Sequence, residues 1–186
     1  MSENLIGLPR DIVRLSLYSK RWVKIYKDEE KLLHEALGGI ALDIQHVGST
    51  SIPGLISKPV IDIAVAVKTF SDCDKCIGPL IELGYHYRHG AGVKGGYHFA
   101  KGPESNRTHY VHVEELFGKM WYDHILFRNY LRAHSEAMEK YAELKIQLAE
   151  KFPADRPAYL EGKSGFITEV VEKARIEYEI KDLLDI

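Results

Sequence analysis

The run Val60-Ile61-Asp62-Ile63-Ala64-Val65-Ala66-Val67 limits what this chain can become more than any other segment. It is rich in β-branched residues, whose stiff side chains suit the packed surface of a strand. One residue breaks the pattern. A carboxylate on a central strand is costly unless it is paired or binds a metal, so Asp62 reads as functional. Just upstream, Leu42 to Val47 reads as a strand, and Gly48-Ser49-Thr50-Ser51-Ile52-Pro53-Gly54 is turn-rich punctuation. A Gly-Ser turn leaving a buried strand can aim backbone N–H groups and a hydroxyl at a phosphate. Glycine permits close backbone approach, and a following helical turn adds partial positive charge. The competing reading is a plain turn with Ser49 as a helix cap. The expectation is that residues 46–67 form strand, turn and strand, presenting Gly48, Ser49 and Asp62 together as a nucleotide-phosphate site.

The rest of the chain sorts by periodicity. Ile12 to Leu17 is compatible with a short edge strand. Ser19 then caps a helix carrying Trp22, Tyr26, Leu33 and Leu37 on one stripe, stopped by Gly38-Gly39. Ser71 or Asp72 opens another helix that closes near Gly84, and Tyr85 to Arg88 reads as a strand. Between Gly95 and Glu115 two strand patterns flank the turn-rich Gly102-Pro103-Glu104-Ser105-Asn106, which predicts an antiparallel hairpin. Three helices follow, over Trp121 to Ala133, Glu136 to Lys151 and Gly165 to Leu184. The expectation is one α+β domain over 1–186, with a mixed or antiparallel sheet core over about 10–116 and a helical part over about 117–186.

Acidic residues number 27 against 25 Lys and Arg. That balance leaves no basic excess for a long nucleic acid, while a small anionic ligand remains allowed. No apolar run approaches the roughly 20 residues needed to span a bilayer, and the N-terminal stretch lacks a signal pattern, so the expected location is the cytoplasm with no membrane partner. Cys73 and Cys76 make one C-x-x-C. Without a second half for zinc or a thioredoxin-like setting, they read as ordinary helix cysteines.

The stretch HVGSTSIPGLISKPVIDIAVAV resembles the signature of the GrpB family, a branch of the nucleotidyltransferase superfamily with the fold of the DNA polymerase beta palm. The resemblance extends through Tyr18 and Trp22, the hairpin His98 to Val113, FRNYLRAH from Phe127 to His134, Tyr141 to Lys145, and Tyr159, Lys163 and Phe166. It implies a nucleotidyltransferase-like sheet flanked by helices. In that superfamily a Gly-Ser turn holds the nucleotide triphosphate, and carboxylates two apart on the next strand bind magnesium with a third from a later strand. The resemblance gives Gly48 and Ser49 the first role and Asp62 the second. Residues i and i+2 share a sheet face, so the partner of Asp62 belongs at position 64, which is alanine.

In the second hairpin strand, Tyr110, His112 and Glu114 share one face, and His109 points to the other. If the first face looks toward Asp62, Asp62 and His112 can bind one divalent metal or act as a general acid/base couple. The cofactor expected is magnesium if standard transfer chemistry is retained, and zinc or another transition metal if histidine ligates. His98 can approach His112 across the hairpin, whereas His46 and His109 read as structural. Lys58 reads as a phosphate neutraliser or a solvated residue before Pro59. Arg128 and Arg132 lie four apart on one helix face, either as an anion clamp or as a surface stripe; the resemblance favours the clamp and carries over Lys145 and Lys163 as well. The function expected is a nucleotidyltransferase-type enzyme moving a nucleoside monophosphate from a nucleotide triphosphate to a small acceptor. The alternatives are a binding module that has lost its chemistry, for which Ala64 speaks, and a single-metal phosphate-handling hydrolase.

Overall fold

Helix α1 (Arg21–Leu37) forms where apolar residues recur at helical spacing: Trp22, Tyr26, Leu33 and Leu37 are all buried, with Glu29 on the same stripe. The Ser19 hydroxyl accepts a hydrogen bond from the Arg21 backbone N–H at 3.3 Å, and Gly38, at φ 51°, ends the helix. The computed structural model describes residues 6–88 and 96–178. Behind α1 lies a sheet of β1 (Asp43–Val47), β2 (Ile61–Val67), β3 (Tyr85–Tyr87), β4 (Gly96–Lys101) and β5 (His109–Glu115), in the order β1-β2-β5-β4-β3. β2 and β5 run parallel and every other pair antiparallel, so the sheet is mixed. A parallel pair needs a crossover. Here it runs through a 3-10 segment (Phe70–Cys76), helix α2 (Ile77–Glu82), β3 and β4.

The two faces of β2 are unlike each other. Ile61, Ile63, Val65 and Val67 enter a core with Trp22, Leu33, Leu80 and both cysteines. Ala64 and Ala66 point the other way, into a smaller cluster with Val47 and Trp121. That second face is covered by α3 (Lys119–Ala133), α4 (Ser135–Lys151) and α5 (Arg156–Glu177). Phe127, Leu131, Tyr141, Val170 and Val171 close on Ile52 and Leu55 of the loop after β1. The helical part is thereby fixed to the Gly48 turn. Among the described residues no helix is long and apolar enough to cross a membrane.

Two expectations need correcting. Residues 12–17 form no strand; only Ser16 pairs, in an isolated bridge with Ser57. The Val13 N–H bonds instead to the Pro153 carbonyl at 2.8 Å, so the segment divides its hydrogen bonds between the sheet side and the helices. Helix α5 begins at Arg156, nine residues before the expected start. Asp155 caps it by accepting from the Ala158 N–H at 3.0 Å, and Pro157 sits in the first turn, where no donor is required. Its glycines are not breakers. A Cβ on Gly162 would lie 2.5 Å from Leu148, so that glycine lets α4 and α5 approach closely. The expected end at Leu184 and the hairpin start at Gly95 lie outside the described residues.

Candidate functional site

The bend after β1 and the acid on β2 meet. Gly48 has φ 65°, and a Cβ there would stand 2.7 Å from Asp62 Oδ2, so only glycine lets this backbone lie against the carboxylate. The Ser51 hydroxyl donates to the Gly48 carbonyl at 2.6 Å and tightens the 3-10 turn Ser49–Ser51. The Ser49 hydroxyl and the Tyr141 phenol share a hydrogen bond, which links the turn to α4.

His112 comes to the same place from β5. Its Nε2 lies 3.5 Å from Asp62 Oδ1, the outer limit of a hydrogen bond, and its Nδ1 lies 3.1 Å from His98 Nδ1 across the hairpin. Burial alone would raise the Asp62 pKa. The hydrogen bond and charge of His112, followed by the charges of Lys58 and Lys163, outweigh it and hold the carboxyl below the usual aspartate value. Burial, and then His112, push His98 down to about 4, so it is neutral at physiological pH. Ala64 lies beside His112 in the parallel register and is fully buried.

The same face carries two groups that the sequence left out of the site. Glu114, two residues beyond His112, is 1% exposed. Its carboxylate lies 3.1 and 3.2 Å from Nδ1 of His124, on the first turns of α3. Burial opposes a charge on His124, but Glu114 outweighs that and raises its pKa. The His112 and His124 rings are 4.9 Å apart. Glu114 was legible by alternation; His124 was not, since only the docking of α3 brings it in.

Two cavities open on this constellation. The larger, of about 810 Å³, has Phe70, Met120, Phe127, Tyr141 and Ile167 in its walls, with Glu114 and His124. The smaller, of about 410 Å³, is lined by Lys58, Lys145, Lys163, Arg156, Arg88 and Arg10, against Asp11 and Asp62. Both cavities share Ser49, Asp62, His112, Leu160 and Lys163. Crowded cations in a poorly solvated space repel one another. Burial, then Lys163 and Arg156, lower Lys58 to about 7. Burial, then Lys163 and Lys58, lower Lys145 to about 6. The Lys145 ammonium donates to the Ile56 carbonyl, Lys58 and Lys163 each lie 5.4 Å from the Tyr159 ring, and Arg156 donates to the Tyr110 hydroxyl at 2.7 Å.

Arg128 and Arg132, expected as an anion clamp, are engaged with protein oxygens. Arg128 donates to the His46 carbonyl and to Gln45 Oε1, both at 2.9 Å, and Arg132 donates twice to the Ser51 carbonyl, at 3.1 and 2.6 Å. Neither lines either cavity. These guanidinium groups tie α3 to the end of β1 and to the turn after it by satisfying backbone carbonyls. His46, bonded to Thr50 at 3.0 Å and stacked on Tyr26, and His109, bonded to Thr108 at 3.0 Å, sit away from the junction. Burial lowers both to about 4.

Comparison with known proteins agrees with this architecture. The family described as GrpB protein matches residues 12–173. The glutamate-rich protein GrpB of Alkalihalophilus pseudofirmus is 35% identical over 173 residues, covering 91% of this chain and 99% of that protein. The crystal structure of the conserved protein GrpB from Enterococcus faecalis superposes with a TM-score of 0.82 at 32% identity, covering 89% of this chain and 99% of that one. A mutant of the Cid1 poly(U) polymerase bound to MgATP matches with a TM-score of 0.50 at 12% identity, over 72% of this chain and 44% of that one, a likeness of fold.

Proposed function

The chain belongs to the GrpB family, and on that premise we propose that it is a nucleotidyltransferase-type enzyme moving a nucleoside monophosphate from a nucleotide triphosphate to a small acceptor. The observation that carries this reading is the junction itself. A cationic cavity and a larger, more apolar one share Ser49, Asp62, His112 and Lys163, which is what a reaction between a polyphosphate and a second substrate requires. Gly48 and Ser49 face the phosphates, and Lys58, Lys145 and Lys163 neutralise them. An acceptor hydroxyl attacks the α-phosphorus and gives its proton to the Asp62 carboxylate. The new phosphorus–oxygen bond forms as the bond to the bridging oxygen breaks, and pyrophosphate leaves into the cationic cavity.

The magnesium pair of the superfamily does not fit this donor set. Position 64 offers a fully buried methyl group, and the residue beside it on β5 is an imidazole. Magnesium prefers oxygen ligands. The step above uses none.

Ala64 favours a second reading, a nucleotide- or phosphometabolite-binding protein without turnover. One experiment addresses both. A ligand that binds only the folded state adds about 2.7 kcal/mol at about 100 times its Kd, so a thermal-shift screen of nucleotide triphosphates, with and without divalent metals, reads binding directly. Stabilisation that weakens in Lys163→Ala supports the shared site, and pyrophosphate release with an acceptor then selects the enzyme. No stabilisation by any nucleotide overturns both readings.

A further inference from the structure

The side chains of His112, Glu114 and His124 each offer one ligand atom, and these atoms lie within 4.8 Å of one another. We propose that the three form a binding site for a single transition-metal ion of the zinc class, with Asp62 beside it and a coordination position open to the larger cavity. The site is separate in composition from a carboxylate magnesium centre, and metal binding can be measured whether or not the transferase reading holds.

Four observations converge. Bonds of about 2.0–2.2 Å from zinc to nitrogen or oxygen put neighbouring ligand atoms of a tetrahedron roughly 3.3 Å apart. The 3.1 Å separation of His124 Nδ1 and Glu114 Oε1 is already near that edge, so a metal can take the place of the proton between them, and His112, within 4.8 Å, needs to close by at most about 1.5 Å. Glu114 is 1% exposed, and its Oε1, though at ion-pair distance from His124, accepts no well-directed hydrogen bond. Oε2 is bonded to His124, and Oε1 is left as an acceptor that a metal ion can use.

His98 supplies the orientation. Among the described residues its Nε2 is buried without a hydrogen-bond partner, and its Nδ1 faces His112 Nδ1 at 3.1 Å, so one of the two Nδ1 atoms carries the proton between them. With that proton on His112, its Nε2 keeps a lone pair for the metal, which then takes the place of the Nε2 hydrogen bond to Asp62. The scaffold is also stiff. His112 and Glu114 alternate on β5, and His124 stands on a helix laid across the same sheet face. All three line the larger cavity, and three protein ligands with one open position is the pattern of catalytic zinc sites. Mixed nitrogen and oxygen donors select zinc, cobalt or nickel over magnesium.

The test uses untagged full-length protein stripped by chelator and titrated by calorimetry with Zn²⁺ and, in parallel, with Mg²⁺; Co²⁺ serves as a spectroscopic probe. The expected result is one Zn²⁺ per chain, a visible Co²⁺ spectrum of a low-symmetry nitrogen and oxygen site, and no competition from Mg²⁺. Glu114→Gln and His124→Asn should each lose at least about 100-fold in affinity, and His98→Ala about 10-fold, as for second-layer partners of metal ligands. His124 is partly exposed on a helix, so His124→Asn keeps the test decisive if Glu114→Gln fails to fold. A Cys73→Ser, Cys76→Ser double variant should bind as the parent does. Absence of stoichiometric Zn²⁺, affinity unchanged in both ligand variants, or a thiolate charge-transfer band in the Co²⁺ spectrum would each overturn the assignment, leaving a His124–Glu114 ion pair.

Discussion

One face of β2 carries Ile61, Ile63, Val65 and Val67 into a dry layer against α1; the other carries Asp62, Ala64 and Ala66 beneath α3. Seven consecutive residues thus serve two purposes, and the difference lies in side-chain size as much as polarity. Large β-branched groups fill the first face completely. On the second, alanines leave room in which His112, Glu114 and His124 gather beside the acid. A strand that is packed tightly on one side can hold a polar, partly open constellation on the other, because its position is already set by the packed side.

That contrast can be broken from either side. The largest effect expected is on rate: Asp62→Ala should lower turnover by about 10²–10⁴-fold, the usual contribution of a positioned acid/base group, while changing the urea midpoint little. Loss of folding together with activity would mean that the two faces are not separable. Ile63→Ala, on the fully buried face, should do the reverse, destabilising by about 2–5 kcal/mol in urea melts through the cavity it leaves, with turnover per folded molecule nearly intact. Gly48→Ala joins both properties. At φ 65° and with Asp62 Oδ2 at 2.7 Å from the added methyl, it should destabilise by about 1–2 kcal/mol and also displace the carboxylate, so activity falls further than stability alone explains.

The smallest effect is electrostatic. Lys58 and Lys145 are lowered to about 7 and about 6, so between those values and the ordinary lysine range the unfolded chain holds protons that the folded one lacks. The ligand-free protein should therefore gain stability from these groups as pH rises through that window. A bound polyphosphate recharges them, so its affinity should fall as pH rises from 6 to 9, by at most about tenfold per lysine per unit. Calorimetry in buffers of different ionisation enthalpy would read the accompanying proton uptake. A pH-independent affinity would separate the lysines from the phosphate.

What was legible in the sequence was what repeats along one dimension. The stripe of α1, the alternation of β2 and the hairpin follow from spacing, and the Gly48 bend beside Asp62 follows from a recognisable local pattern. What was not legible depends on partners distant in the chain. Arg128 and Arg132 are well spaced for a clamp, yet their acceptors are carbonyls more than 80 residues away. Gly162 looks like a helix breaker until Leu148 is set against it. His124 carries no local signal at all, since it reaches Glu114 only through the docking of α3.

His124, Arg128 and Arg132 recur every four residues along α3, so one edge of that helix touches the buried glutamate, the end of β1 and the turn after it in succession. The helix works as a ruler. A single residue inserted between His124 and Arg128 would rotate everything downstream by about 100° and pull both guanidinium groups off their carbonyls. Substitutions along this edge change one contact at a time, whereas a change of length would lose the turn and the cavity wall together.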